Sequence, residues 1–410
     1  MQTQSSPSTP PHGHKFAMTA LTSLFFMWGF ITALNDVLIP HLKAVFDLNY
    51  TQAMLVQFCF FGAYFLISVP AGRLVNRMGY QRGIGVGLIT AAVGCLLFIP
   101  SSYTEVYVMF LGGLFVLASG ITILQVAANP LVTVIGNPAT ASSRLTMTQA
   151  FNSLGTTVAP ILGGYVLFSE HADVSADAVN MPYFVLAVVL VLIAFVFMKI
   201  QLPKPNYEAH PVDALPSGSV LKHRHLVLGA LGIFLYVGAE VSIGSFLINF
   251  LGEEHIMAMP EAVAANYIAY YWGGAMVGRF IGAVLMQKIR PGLLLGVNSL
   301  LSVTLIGIAI SSEGAVAMWA ILAVGLCNSI MFPTIFSLAL SGLGHQSSQG
   351  SGILCLAIVG GAIVPVLQGL LADSMGLQIS FILPLLCYVY IGFYGIKGSQ
   401  PVHQSSPATA

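Results

Sequence analysis

Two pairs of side-chain amides stand where a membrane helix ordinarily carries aliphatic residues. Gln125 and Asn129 lie four apart in ILQVAANPL, and Gln149 and Asn152 lie three apart in TQAFNSLG. On a helix each spacing puts both amides on one face, one turn above the other. A side-chain amide offers donors and acceptors but no charge. Four of them on consecutive apolar segments suit a neutral, hydroxyl-rich ligand such as a sugar better than an ion. Asn and Gln also hydrogen-bond between membrane helices as plain interhelical glue. Two same-face pairs in succession favour the binding site.

Only two ionisable residues are read well inside apolar runs, both carboxylates: Asp36, preceded by Asn35, and Glu240 in YVGAEVSIGSF. A charged side chain at the centre of a spanning helix costs roughly 2.5–3.5 kcal/mol on insertion scales, so such groups usually face a cavity and serve ion or proton pathways. They can exchange a proton, hold sodium together with backbone carbonyls, or make a structural hydrogen bond to a neighbouring helix. Asn266 and Asn328 can meet a ligand from the second half of the chain, with Asn35 from the first. Trp28, Tyr271 and Trp272 can stack on a pyranose face or serve as interface anchors. The ten histidines fall in tails, loops or span ends and are assigned no proton transfer. Five cysteines in apolar runs, without a C-x-x-C pair, read as small buried hydrophobes rather than disulfides or metal ligands.

The elements that position these groups follow from composition. Of 410 residues 57% are hydrophobic and 7% charged, with mean hydropathy +0.87. A soluble domain carries roughly 25% charged residues, so this is a polytopic membrane protein. Twelve runs approach the roughly 20 residues that a bilayer requires: 17–42, 52–74, 81–99, 105–135, 144–168, 181–200, 225–251, 262–288, 291–311, 314–342, 347–373 and 377–397. The expected organisation is a disordered cytoplasmic tail (1–15), a six-helix bundle (16–200), a cytoplasmic linker (201–224), a second six-helix bundle (225–398) and a C-terminal tail (399–410). No signal peptide is read at the start.

Charge placement orients the chain. With both ends cytoplasmic, only Lys43 of the 14 Lys and Arg residues falls on the outer side, as the positive-inside rule requires. The halves also repeat. Gly155 with Ala159-Pro160 matches Gly360 with Val364-Pro365 at an offset of 205 residues, and Asn129-Pro130 matches Phe332-Pro333 at 203. Internal repeats with interrupted helices around a central site mark secondary transporters.

Between the second and third spans runs GRLVNRMGYQR, residues 72–82. It resembles the cytoplasmic loop signature of the major facilitator superfamily, with Asn76 for the usual Asp and Gln81 for one basic residue. Gly72 and Gly79 allow close helix packing, while Arg77 and Arg82 can bond helix-end carbonyls at the inner face. Together with Asn76 these form the expected gating set, and the bland alternative is topogenic charge. GRF at 278–280 and Lys288–Arg290 echo the motif weakly. The strings FFMWGFITALNDVLIPHL, ILQVAANPLVTVIG, TQAFNSLG and FPTIFSLAL resemble the fucose:proton symporter family of that superfamily, from about Phe16 to Lys397.

The resemblance implies the major facilitator fold, an all-α membrane protein of twelve transmembrane helices in two pseudo-symmetric six-helix bundles. It makes Asp36 the family's span 1 acid, and Gln149 and Asn152 sugar-contacting residues. The chain departs from fucose permeases by Gln125 where they carry glutamate and Glu240 where they carry glutamine, a combination similar to the family's glucose/galactose branch. The implied function is import of a neutral hexose such as glucose or galactose with a proton or sodium, by alternating access. Import of L-fucose or an N-acetylhexosamine with protons is the alternative. The expected partners are the sugar and the lipid bilayer, not nucleic acid. A monomer suffices, in a bacterial inner membrane, with no cofactor beyond the co-transported cation and no metal other than sodium at Asp36 or Glu240. An intramembrane enzyme would need H-E-x-x-H or paired acids within a span. A channel would show repeated polar rings, and a drug exporter would have greasier walls. With no phosphate-cradling loop, the energy must come from a gradient.

Overall fold

The computed structural model describes residues 12–46, 50–104, 106–167, 180–200 and 219–400. In the outer part of the first helix only the backbone is described, so the side chains of Asn35 and Asp36 lie outside the described residues. The first half comprises α1 (His12–Val45), α2 (Tyr50–Met78), α3 (Tyr80–Thr104), α4 (Tyr107–Val134), α5 (Ala141–Leu167) and α6 (Asn180–Lys199). In the second half α7 (Arg224–Gly252), α8 (Glu261–Leu285) and α9 (Pro291–Ser311) are continuous. The remaining three spans are each interrupted. They are α10 (Gly314–Asn328) with α11 (Met331–Leu340), α12 (Ser347–Leu356) with α13 (Gly360–Met375), and α14 (Leu377–Ser380) with α15 (Ile382–Phe393).

Eleven of these spans, among the described residues, are long and apolar enough to cross a bilayer. The twelfth is α5, of 27 residues, whose described part carries Thr146, Thr148, Gln149, Asn152 and Ser153. Long rows of exposed apolar side chains on α6 and α9, such as Leu192, Phe195, Leu300 and Leu301, supply lipid-facing surface. With no water in the hydrocarbon, backbone groups must pair within the segment, so spans fold as helices.

The two halves pack alike. In the first, α1 lies on α5, α2 on α4, and α3 on both α4 and α6. In the second, α7 lies on α13, α8 on α10, and α9 on both α10 and α15. The glycines of the sequence repeat occupy equivalent crossings. A Cβ at Gly155 would collide with the Phe26 carbonyl oxygen and lie 2.9 Å from the Phe30 nitrogen, while one at Gly360 would collide with the Phe234 carbonyl group. Only glycine lets α5 approach α1, and α13 approach α7, backbone to backbone. Gly79 closes α2 at φ +84°, where its N–H donates to the Val75 carbonyl at 2.8 Å. The left-handed turn lets α3 begin at once.

The described contacts between halves gather at one end of the bundle, the end carrying Arg77, Arg82 and Lys288. There α2 and α4 meet α12, while α5 meets α8 and α11. A Cβ at Gly72 would lie 2.9 Å from the Ser348 carbonyl oxygen, and one at Gly352 2.7 Å from that of Ser68. Small hydroxyls bridge the seam: Ser142 to Ser337 at 2.7 Å, Ser143 to the Ala283 carbonyl at 2.6 Å, and Ser348 to Asn76 Oδ1 at 3.0 Å.

Candidate functional site

The four amides lie in the body of the bundle, on α4 and α5. Gln125 and Gln149 are buried and Asn129 is 0% exposed. Among the described residues, Gln125 Oε1, Gln149 Nε2 and both amide atoms of Asn129 are buried without a hydrogen-bond partner. Buried polar atoms in folded proteins are nearly always paired, so each orphan requires an explanation. Asn152 differs. Its Nδ2 donates to the Phe25 carbonyl at 2.9 Å, fastening α5 to α1.

In the second half, Glu240 is the centre of a polar network. Its side chain is 13% exposed and pairs with Arg279, itself 14% exposed, through Nη2 and Oε1 at 3.8 Å. Tyr236, one turn earlier on α7, donates to the same Oε1 at 2.7 Å. The Tyr271 hydroxyl lies 3.3 Å from the Glu240 carbonyl oxygen and accepts from Asn328 Nδ2 at 2.7 Å. Tyr388 donates to Asn328 Oδ1 at 2.6 Å. Around the partly exposed acid–base pair, Tyr236, Tyr271, Tyr388 and Asn328 are all fully buried.

Arg279 corrects the expectation that Asp36 and Glu240 are the only ionisable groups well inside the spans, and that Arg279 merely adds to the inner-side charge. It lies within α8, and its guanidinium reaches three elements. Besides Glu240 on α7, its Nε donates to the Ser329 carbonyl at 3.1 Å and its Nη1 bonds Ser153 Oγ on α5. The reason is local. Pro333 has no N–H to offer the carbonyl four residues earlier, and its ring presses on that carbonyl. The span breaks between α10 and α11, leaving Ser329 O for Arg279 and Asn328 O for Tyr236 at 3.1 Å. Tyr236 and Glu240 lie four residues apart, a same-face spacing that could have pointed to this cluster but was not read from the sequence. Nothing local in the sequence singled out Ser153 or Tyr388.

Other expected residues are held within the network or lie away from it. Asn328 is occupied at both ends of its amide by tyrosines, and Tyr271 points its hydroxyl into the network rather than presenting a free ring face. Asn266 is exposed near the start of α8, about 20 Å along the helix from Arg279. Trp28 is buried against Phe25, ring centroids 5.2 Å apart, whereas Trp272 is 43% exposed. In the loop motif Arg77 and Arg82 are exposed. Helix-end carbonyls are bonded by other side chains: Gln81 Nε2 donates to Phe197 O and Ile200 O at 2.7 and 2.6 Å, and Arg144 to Val132 O and Thr133 O at 3.2 and 2.9 Å.

Twelve spanning helices in two like halves, with buried amides on one side and an acid–base pair on the other, define a multi-pass membrane carrier. The sequence profile of the Major Facilitator Superfamily matches residues 19–358, and the chain belongs to that superfamily. It is 59% identical over 389 residues to the glucose/galactose transporter of Brucella abortus (strain 9-941), covering 94% of each chain. It is 33% identical over 405 residues to the L-fucose-proton symporter of Escherichia coli (strain K12), covering 93% of this chain and 92% of that one. Its fold superposes on the crystal structure of the transporter FucP in the outward conformation with TM-score 0.87 at 31% identity, over 94% of this chain and 99% of that one.

Proposed function

We propose that this carrier is a symporter that imports a neutral hexose, glucose or galactose, together with a cation by alternating access. The observation that carries the sugar assignment is the set of orphaned amide atoms on Gln125, Asn129 and Gln149. Hydrogen-bonding groups stranded in a dry interior are the complement of a ring of hydroxyls, and they suit neither an ion nor a greasy solute. The names of the relatives at 59% identity support the hexose reading. Import of L-fucose or an N-acetylhexosamine with protons is the second reading, favoured by the fucose symporter at 33% identity.

Glu240 is the coupling group in the second half, with Asp36 as its counterpart on α1. A guanidinium 3.8 Å from Glu240 repels a metal cation at the same carboxylate, which favours a proton over sodium there. Protonation removes the charge that holds Arg279. Because that guanidinium also bonds Ser153, next to Asn152 on α5, the acid of one half is linked mechanically to a sugar-facing helix of the other. Closure at the end carrying Arg77 and Lys288 leaves sugar and proton to enter from the opposite side, and rocking of the halves releases both inside. The chain works as a monomer, in the inner membrane of a bacterium, with both termini cytoplasmic.

The test is uptake of labelled glucose into proteoliposomes under an inward proton gradient or an inward sodium gradient. Unlabelled galactose and L-fucose serve as competitors. Proton-driven uptake blocked by galactose is expected, rising as the outside is made more acidic. Sodium-driven uptake would overturn the proton assignment, and competition by fucose alone would give the site to the second reading.

A further inference from the structure

Pro130 and Pro333, one matched pair of the internal repeat, do opposite things with the carbonyls they release. Pro333 releases Ser329 O, which is taken within its own half by Arg279. Pro130 sits inside α4 and cannot bond the carbonyl four residues earlier, that of Val126. Val126 O is bonded instead from the other half of the molecule, by Ser351 Oγ on α12 at 2.9 Å, and both partners are buried. Ser351 corresponds to Thr146 in the repeat, at the same offset of 205 residues as Gly155 and Gly360. Thr146 is also fully buried, yet its hydroxyl has no partner among the described residues. Of two equivalent positions, one crosses the seam and one does not.

The geometry points to Ser351 on the Val126 carbonyl as the latch of the inner gate, an inference that rests on the alternating-access reading. Its chemistry suits a contact that must break in every cycle. A carbonyl with its i+4 donor present gains little from a serine on another helix. One stripped of that donor by proline needs an outside partner in every state. With the gate shut and dry, Ser351 is that partner. With the gate open, the vestibule is wet and water bonds the carbonyl, while the Ser351 hydroxyl can turn back onto its own helix. Neither end state strands a buried group. Beside it, Gly72 and Gly352 bring α2 and α12 close enough for the bond to form.

The experiment is double electron–electron resonance on the full chain in lipid, with spin labels on Ala139→Cys and Lys288→Cys. Both positions are exposed at the inner end, one in each half. Cys59, which alone among the native cysteines is not buried, is replaced by alanine. The wild type is expected to show a short distance without sugar and a second, longer one with sugar under a proton gradient. Ser351→Ala is expected to move the ratio toward the longer distance by about tenfold. Pro130→Ala, which restores the helical N–H, is expected to move it the same way. The double variant is expected to move it no further than the single ones, because both changes remove one interaction. Thr146→Val is expected to leave the ratio unchanged. An unchanged ratio in Ser351→Ala, an additive double variant, or an equal shift in Thr146→Val overturns the latch. A wild type whose distance never responds to sugar overturns alternating access, and the latch with it.

Discussion

At the scale of single residues, the acid and the amides are asked to do different work, and substitution separates them. Glu240→Gln keeps the hydrogen bond from Tyr236 but removes the charge that holds Arg279. This variant is expected to lose gradient-driven accumulation while retaining exchange of labelled for unlabelled sugar across the membrane. Full accumulation would remove Glu240 from coupling. Gln149→Ala deletes an amide with an unpaired buried nitrogen, so the folded protein loses little. Sugar affinity is expected to fall about tenfold, the value of one well-made hydrogen bond, read by equilibrium binding. Unchanged affinity would make Gln149 helix glue. Asn152→Ala also cuts the tie to Phe25 O, so its loss of affinity should come with a lower melting temperature.

At the scale of elements, the helix crossings are fixed by glycine and the helix interruptions by proline. Gly155→Ala forces a methyl group into the Phe26 carbonyl, and Gly360→Ala forces one into the Phe234 carbonyl. Backbone cannot swing aside as a side chain does, so each is expected to destabilise the bundle by about 1–3 kcal/mol. A thermal-shift measurement in detergent reads this, and Gly112→Ala, at a glycine with open space around it, serves as the unaffected comparison. Melting of Gly155→Ala at the wild-type temperature would mean that α1 and α5 do not cross this closely. Burial alone does not make a helix position critical, since Asn129 is buried beside Pro130 yet unpaired. What matters is what the side chain meets, rigid backbone at Gly155 and Gly360 or open space at Gly112.

At the scale of the whole molecule, the positive charges and the closed seam lie at the same end. Orientation in the membrane then decides which compartment the described conformation excludes. With both termini cytoplasmic, a reporter active only outside, such as alkaline phosphatase, is expected to be active when fused after Ser312. It is expected to be silent when fused after Lys288. The reverse pattern would invert the topology and make the described state closed to the outside. Because only Lys43 among 14 basic residues opposes this orientation, weakening the bias should require several charge reversals, not one.

Composition and patterning were enough, on their own, to set the twelve spans and their two-fold repeat. A bilayer demands about 20 apolar residues per crossing whatever the tertiary packing, and proline acts on the backbone of its own turn. The face shared by Gln125 and Asn129 was legible for the same reason, since it follows from helical periodicity. Arg279 was not. In the sequence it is one more basic residue near a span end, and only the packing of α5, α7, α8 and the break before α11 brings Glu240, Ser153 and Ser329 to its guanidinium. The division between Asn152, tied to α1, and Gln149, left unpaired, was equally invisible. The two carry the same amide on the same face, and their difference depends on which backbone of another helix lies within 3 Å. Local periodicity specifies direction, but partners many turns away in sequence are fixed only when whole helices pack on one another, within a half for Asn152 and Phe25 and between halves for Arg279 and Ser153.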